Sequence, residues 1–246
     1  MRSRQAIPRK NVVIIMAEVE IYSATVCPYA HRTRLTLLEK GVDFQLTEID
    51  LENKPDWFAA ISPYGKVPVI KHGNSIVWES TIINEYLDEV FPEKPLMPRD
   101  AGKKAIARIW IDFANTKFTP AFYKLLLAQT PENQQEWAQE LCNHLLFMER
   151  EGIAKLSSNN VYWLGESLSL VDLAFYPWFE RLPVLEHYRS FTLPSECVRL
   201  QQWWEAMNAL ESVQSIKHPT DFYIAEYINY ANNTASGITA QEMRQN

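Results

Sequence analysis

Alternating apolar residues typical of strands occur up to Pro92 and not beyond it. The chain must therefore join a mixed α/β unit to a helical one. The first alternation, Val19-Glu20-Ile21-Tyr22, leads into Cys27-Pro28-Tyr29-Ala30 and then into Arg32 to Lys40, where Leu35, Leu37 and Leu38 precede Gly41. That order reads as strand, turn and helix with a glycine stop. Val42, Phe44 and Leu46 alternate again, and Pro55-Asp56-Trp57-Phe58 opens a short helical turn. Val67-Pro68-Val69-Ile70 and Ser75-Ile76-Val77-Trp78 read as a hairpin about Gly73-Asn74. Ile82, Ile83, Tyr86, Leu87 and Val90 then recur at helical spacing until Phe91-Pro92. The expected order is βαβαββα, a compact α/β sandwich over residues 18–92.

Prolines at 92, 95 and 98 mark residues 93–100 as a linker. Beyond it Ile106, Ile109, Trp110 and Phe113 predict one long helix. Thr130 as cap and Pro131 at the first position open another, continued by Trp137, Leu141, Leu145 and Met148. Ser169-Leu170-Val171-Asp172 is a capping box ahead of Leu173-Ala174-Phe175-Tyr176, the start of a buried central helix. Trp203, Trp204, Met207 and Leu210 belong to a further helix, and Phe222 to Tyr230 to a last short one. The all-helical domain is expected over 101–231, with a flexible polar tail at 232–246. Residues 1–17, carrying Arg2, Arg4, Arg9 and Lys10 and no acid before Met16, read as a disordered extension or as a start assigned too early.

With 246 residues, 47% of them hydrophobic, the chain can bury two cores. A net charge of −6 and no recurring basic face argue against nucleic acid and for small-molecule partners. The longest apolar run, Val12 to Ala17, falls far short of the roughly 20 residues of a membrane-spanning helix, so no membrane insertion is expected. Three cysteines at unrelated spacings form neither a disulfide framework nor a paired metal motif, which points to a reducing, cytoplasmic compartment.

Cys27 stands apart. At the start of a helix, with Pro28 in its first position, its sulfur faces unpaired backbone N–H groups and the positive end of the helix dipole. Such thiols ionise at roughly 3.5 to 7.5 instead of about 8.5 and act as nucleophiles. His31 and Arg32, within one turn, are expected to push the same way. Cys142 and Cys197 read as small buried hydrophobes. A metal is not expected: Cys27 and His31 are two ligands only, and His72, His144, His187 and His218 are scattered.

Cys27-Pro28-Tyr29-Ala30 resembles the active-site tetrapeptide of glutaredoxins with the resolving cysteine replaced by Ala30. Further motifs are Arg32-Thr33-Arg34-Leu35, Asn53-Lys54-Pro55 with Trp57-Phe58, Val67-Pro68-Val69, Glu79-Ser80, and Pro177-Trp178-Phe179-Glu180-Arg181-Leu182. Together they resemble the omega, cysteine-type class of glutathione S-transferases from Glu18 to Tyr230. The resemblance implies a thioredoxin-like domain followed by an all-α domain, a homodimer, and glutathione as cosubstrate. Cys27 would be the catalytic residue. Glutathione would lie against Cys27, Pro28 and Tyr29, with Lys54 on its glycyl carboxylate and a cis-proline turn at Val67 and Pro68 on its cysteinyl part. Glu79 would take its ammonium and Ser80 its γ-glutamyl carboxylate, at a helix N-terminus. Phe113, Trp178 and Arg181 become candidates for the acceptor site.

Position 27 selects the reaction. A tyrosine or serine there would stabilise the glutathione thiolate for attack on electrophiles. A cysteine can itself attack a glutathionylated disulfide and carry glutathione as a mixed disulfide. Without a cysteine at position 30 the cycle must be monothiol, so deglutathionylation and dehydroascorbate reduction are expected and conjugation should be weak. His31 departs from the acidic or amide residue usual in the class, and is expected to sharpen the pH dependence near pH 6 to 7, from an ordinary pKa of about 6.5. The alternatives on this scaffold are a conjugating transferase, a chloride-channel-like protein and a regulatory binding module of the stringent-starvation type. The last would need no activated thiol, and retention of Cys27, Lys54 and Glu79-Ser80 argues against it.

Overall fold

A computed structural model describes residues 18–245; the basic leader read above as an extension lies outside the described residues. The first unit runs β1 (Val19–Ser23), α1 (Pro28–Lys40), β2 (Phe44–Glu48), a 3-10 turn (Asp56–Ala60), β3 (Val69–His72), β4 (Ser75–Trp78) and α2 (Ser80–Val90). The sheet order is β2-β1-β3-β4, with β1 and β2 parallel and the other pairs antiparallel. Ile21 sits opposite Leu46 on one side and Ile70 on the other, which places the alternating apolar residues of β1 at the sheet centre. This is a thioredoxin-like domain.

The second helix of the expected order shortens to the 3-10 turn, whose Phe58 is buried. Likewise β3 starts at Val69 and not at Val67, because Pro68 has no N–H to give the ladder.

The helical domain comprises α3 (Ala101–Phe113), α4 (Thr119–Leu127), α5 (Pro131–Phe147), α6 (Ala154–Leu156), α7 (Leu170–Phe179), α8 (Leu182–Arg189), α9 (Val198–Asn208), α10 (Glu211–Ile216), α11 (Thr220–Glu226), α12 (Ile228–Ala231) and α13 (Ile238–Gln245). A π turn, Ala114–Phe118, links α3 to α4. One apolar core holds Trp110, Trp163, Phe175, Trp178 and Trp203, and takes in Leu35 from α1. The two units therefore share buried surface. The helix α1 lies between them, packed on α2 and on α7, which is why its polar residues His31, Arg32, Thr33 and Thr36 are all buried.

The tail expected to be flexible, residues 232–246, carries a helix over Ile238–Gln245. Ala240 of α13 is fully buried, and the Arg244 guanidinium donates to the Asn233 side chain and to the Ala235 carbonyl. The polar composition belongs to an amphipathic segment, of which one small face docks. Among the described residues no helix is long and apolar enough to cross a membrane.

Asp172 organises the helical domain. Its carboxylate, fully buried in the first turn of α7, accepts from the N–H groups of Trp163 and Ser169 at 3.0 and 2.8 Å, the Ser169 hydroxyl at 2.6 Å and the Trp203 indole at 2.8 Å. Burial pushes its pKa up, and those hydrogen bonds oppose the rise. Asp172→Ala is expected to destabilise the fold by roughly 3 kcal/mol, because the donors lose their acceptor in a dry core. Urea unfolding should give a lower midpoint at an unchanged slope; a midpoint equal to the parent's would mean the network holds nothing.

Candidate active site

Between the two units lies a cavity of about 270 Å³. Its floor is the turn from β1 into α1. Cys27 is the N-cap of α1, in extended conformation (φ −78°, ψ 117°), with Pro28 following in the first helical turn. The Cys27 N–H donates to the Ala24 carbonyl at 3.0 Å, and its thiol points to the Val67 carbonyl at 3.8 Å. The Val67–Pro68 peptide bond is cis. Glu79 precedes α2 with φ +71°, a left-handed conformation that a side chain adopts only when its surroundings hold it there.

Of the residues expected to hold glutathione, Cys27, Tyr29, Lys54, Val67, Pro68, Glu79 and Ser80 all line this cavity. Pro28 does not; it is buried at the helix start. Lys54 is half-buried and, among the described residues, has no hydrogen bond or ion pair, so its ammonium is available to a carboxylate. Ser80 begins α2, whose N-terminal N–H groups offer a second anion site.

The electrostatics differ from the sequence reading. Burial pushes the Cys27 thiol up, while the N–H groups of Ala30 and Tyr29 and the charges of Arg181 and Arg34 pull it back. The expected fall does not result, because the protein packed around this half-buried thiol outweighs the helix N-terminus and the two cations. His31 is fully buried and burial, followed by Arg181 and Arg34, holds its pKa well below the ordinary value. Its Nδ1 lies 3.4 Å from Arg181 Nη1 and 3.6 Å from Glu180 Oε2. We read it as a neutral imidazole, so the expected tuning near pH 6 to 7 is corrected.

Arg32 turns away from the thiol into the domain boundary. Its Nε donates to the Ala174 carbonyl at 2.9 Å and Nη1 to Asn115 Oδ1 at 2.7 Å, and its guanidinium lies 4.4 Å from the Trp178 ring centre. It still interacts with the thiol by charge, as expected, but the cations with the larger effect on Cys27 are Arg181, which donates to the Val26 carbonyl at 3.1 Å, and Arg34, which donates to the Thr25 carbonyl at 3.1 Å.

The three acceptor candidates do not line the cavity. Phe113 packs against Trp110, His144 and Phe147. Trp178 is fully buried and meets the edge of Tyr29 at 4.9 Å. Arg181 is fully buried behind the thiol, with its guanidinium over the Tyr223 ring at 4.3 Å. The wall facing Cys27 is built instead from Asn115, Tyr230, Ile238, Thr239, Lys66 and Glu242. Local pattern does not reveal these residues: Asn115 sits on a π turn, an irregularity frequent at functional sites, and α13 is polar enough to read as a fraying tail. Among the described residues no three metal-ligating side chains converge.

Residues 26–90 match the family model of the glutathione S-transferase N-terminal domain. Glutathione S-transferase omega-1 of Mus musculus is 34% identical over 217 residues, spanning 86% of this chain and 85% of that protein. The crystal structure of glutathione transferase Omega 3C from Trametes versicolor is similar at a TM-score of 0.77 and 29% identity, covering 88% of this chain and 91% of that one. Rice GST1, solved in complex with glutathione, matches at a TM-score of 0.77 and 27% identity over 85% and 94% of the two chains. With the fold and most of each sequence in common, the chain belongs to the glutathione S-transferase family, in its omega-like class.

Proposed function

We propose that this enzyme is a glutathione-dependent thiol transferase that removes glutathione from mixed disulfides and reduces dehydroascorbate, both through Cys27. The observation that carries this reading is a thiol at a helix N-terminus, open to a cavity, with no second cysteine in its turn. Ala30 is fully buried, Cys197 caps a distant helix and Cys142 lies in α5. The similarity to omega-class transferases and to a transferase solved with glutathione supports glutathione as cosubstrate.

In the first half-reaction the Cys27 thiolate attacks the glutathione sulfur of a substrate mixed disulfide. A new S–S bond forms between Cys27 and glutathione, the S–S bond between glutathione and the substrate breaks, and the departing substrate thiolate takes a proton. A second glutathione thiolate then attacks that disulfide, releasing glutathione disulfide and the Cys27 thiolate. With dehydroascorbate, the thiolate adds to a carbonyl carbon. Attack of glutathione on the Cys27 sulfur sends the C–S electron pair into the substrate, and a second glutathione resolves the mixed disulfide. In this reading Glu79 takes the ammonium of glutathione, Ser80 and the start of α2 its γ-glutamyl carboxylate, and Lys54 its glycyl carboxylate.

Incubation with glutathione disulfide should add one glutathione to Cys27, seen by intact mass and peptide mapping. Cys27→Ser should lose the adduct and about 100-fold or more of thiol transfer, as expected for loss of a nucleophile. Retained turnover in the serine variant would remove the mechanism. The same variant should gain conjugation of aryl halides.

The pH profile gives a second test. Because burial raises the Cys27 thiol and His31 stays neutral, the thiolate fraction should still be increasing at about pH 8.5, the ordinary thiol value. Normalised rates of thiol transfer should show no step between pH 6 and 7, and His31→Gln should keep the profile's shape. A step in the parent that His31→Gln abolishes would restore His31 as a titrating group.

A further inference from the structure

Lys66 and Glu242 share the cavity with the expected glutathione set. Lys66 directly precedes the Val67–Pro68 turn, and its Nζ lies 2.7 and 2.8 Å from the two carboxylate oxygens of Glu242 on α13. One residue earlier the backbone comes up against the same helix. Gly65 has φ +62°, and a Cβ there would lie 3.4 Å from Ile238 Cδ1. Beyond this seam α13 packs on α4, and the Arg244 contacts to Asn233 and Ala235 stay within the C-terminal segment. The ion pair is therefore a polar link between α13 and the thioredoxin-like domain.

That link is open to competition. The Lys66 and Glu242 side chains are 34% and 44% exposed, so water and a ligand can reach both, and pairs of this kind are weak. The charged side chains lining the cavity are Lys54, Lys66, Glu79 and Glu242, two of each sign. Glutathione with its thiol protonated carries two carboxylates and one ammonium. If Glu79 takes the ammonium and the start of α2 one carboxylate, the glycyl carboxylate is left for the two lysines. Of these, Lys66 already holds a carboxylate of the protein's own.

We infer that Glu242 is an internal competitor for the glycyl carboxylate of glutathione. It holds α13 against Lys66 in the free enzyme, and glutathione loosens α13 by taking Lys66 in its place. The inference rests on reading the cavity as the glutathione site. Glu242 thereby sets the affinity for glutathione, through a residue of the helical domain that touches none of its reacting atoms.

The experiment is calorimetric titration, under reducing conditions, of glutathione and of its glycyl monoethyl ester, which lacks the contested charge. Glu242→Gln should tighten glutathione about threefold or more and change the ester by less than about twofold, the scale of a half-exposed ion pair. Lys66→Met should do the opposite, weakening glutathione more than the ester, and stands in if the first variant misfolds. Equal changes for the two ligands, or none, would overturn the inference while leaving the glutathione site intact. Failure of the parent protein to bind glutathione at all would overturn the reading of the cavity, and this inference with it.

Discussion

The buried guanidinium of Arg32 is the constraint on which the site depends. Taking an arginine out of water costs several kcal/mol unless hydrogen bonds and neighbouring π systems replace its hydration. Here the replacements come from elements of both units. Ala174 of α7 and Asn115 of the π turn accept its N–H groups, Ser80 of α2 lies 3.5 Å away, and Tyr29 and Trp178 lie beneath the charge. Burial lowers its pKa to about 10, so it remains charged at neutral pH and its partners cannot part without stranding it. The docking of the two domains and the placing of Ser80 and Asn115 on the cavity wall are thus one event.

The same docking shapes the thiol. Arg34 from α1 and Arg181 from the helical domain donate to the carbonyls of Thr25 and Val26, the two residues before Cys27. Both fix the turn and place positive charge behind the sulfur. Their attraction opposes the burial that the shared core imposes, and burial prevails, leaving the thiol above its ordinary value. The two arginines limit how far it rises. A helical domain that contributes Arg181 in this way is a part of the Cys27 thiol's environment as well as a cover on α1.

Much of the architecture was legible because its causes are local. The period-2 runs of β1 and β4, Gly41 ending α1, Gly73-Asn74 between β3 and β4, Pro131 opening α5 and the Ser169–Asp172 box all act within a few residues. Cys27 and the cavity-lining residues could be named because their types sit at punctuated turns and match a known family. What escaped depends on tertiary burial. Nothing in Arg32-Thr33-Arg34 says that one arginine faces α7 and the other the cysteine turn. The sign of the Cys27 shift and the silence of His31 follow from a second domain packed over α1. The helix α13 escaped because Ala240 is buried by partners far away in the sequence, on a segment whose other residues are polar.

The proposed monothiol cycle makes that last wall consequential. With Ala30 in place of a resolving thiol, each turnover of that cycle would admit a substrate, release it, and admit a second glutathione to the same sulfur. The side closed by α1 is tied down by the buried arginines, which bond to α7, to the π turn and to the turn before Cys27. The side closed by α13 is different: it is held by a half-exposed ion pair and a seam at Gly65 and Ile238. In the proposed cycle exchange would meet least resistance at the C-terminal helix, whose ties to the sheet domain at Lys66 and Gly65 lie away from the buried arginines.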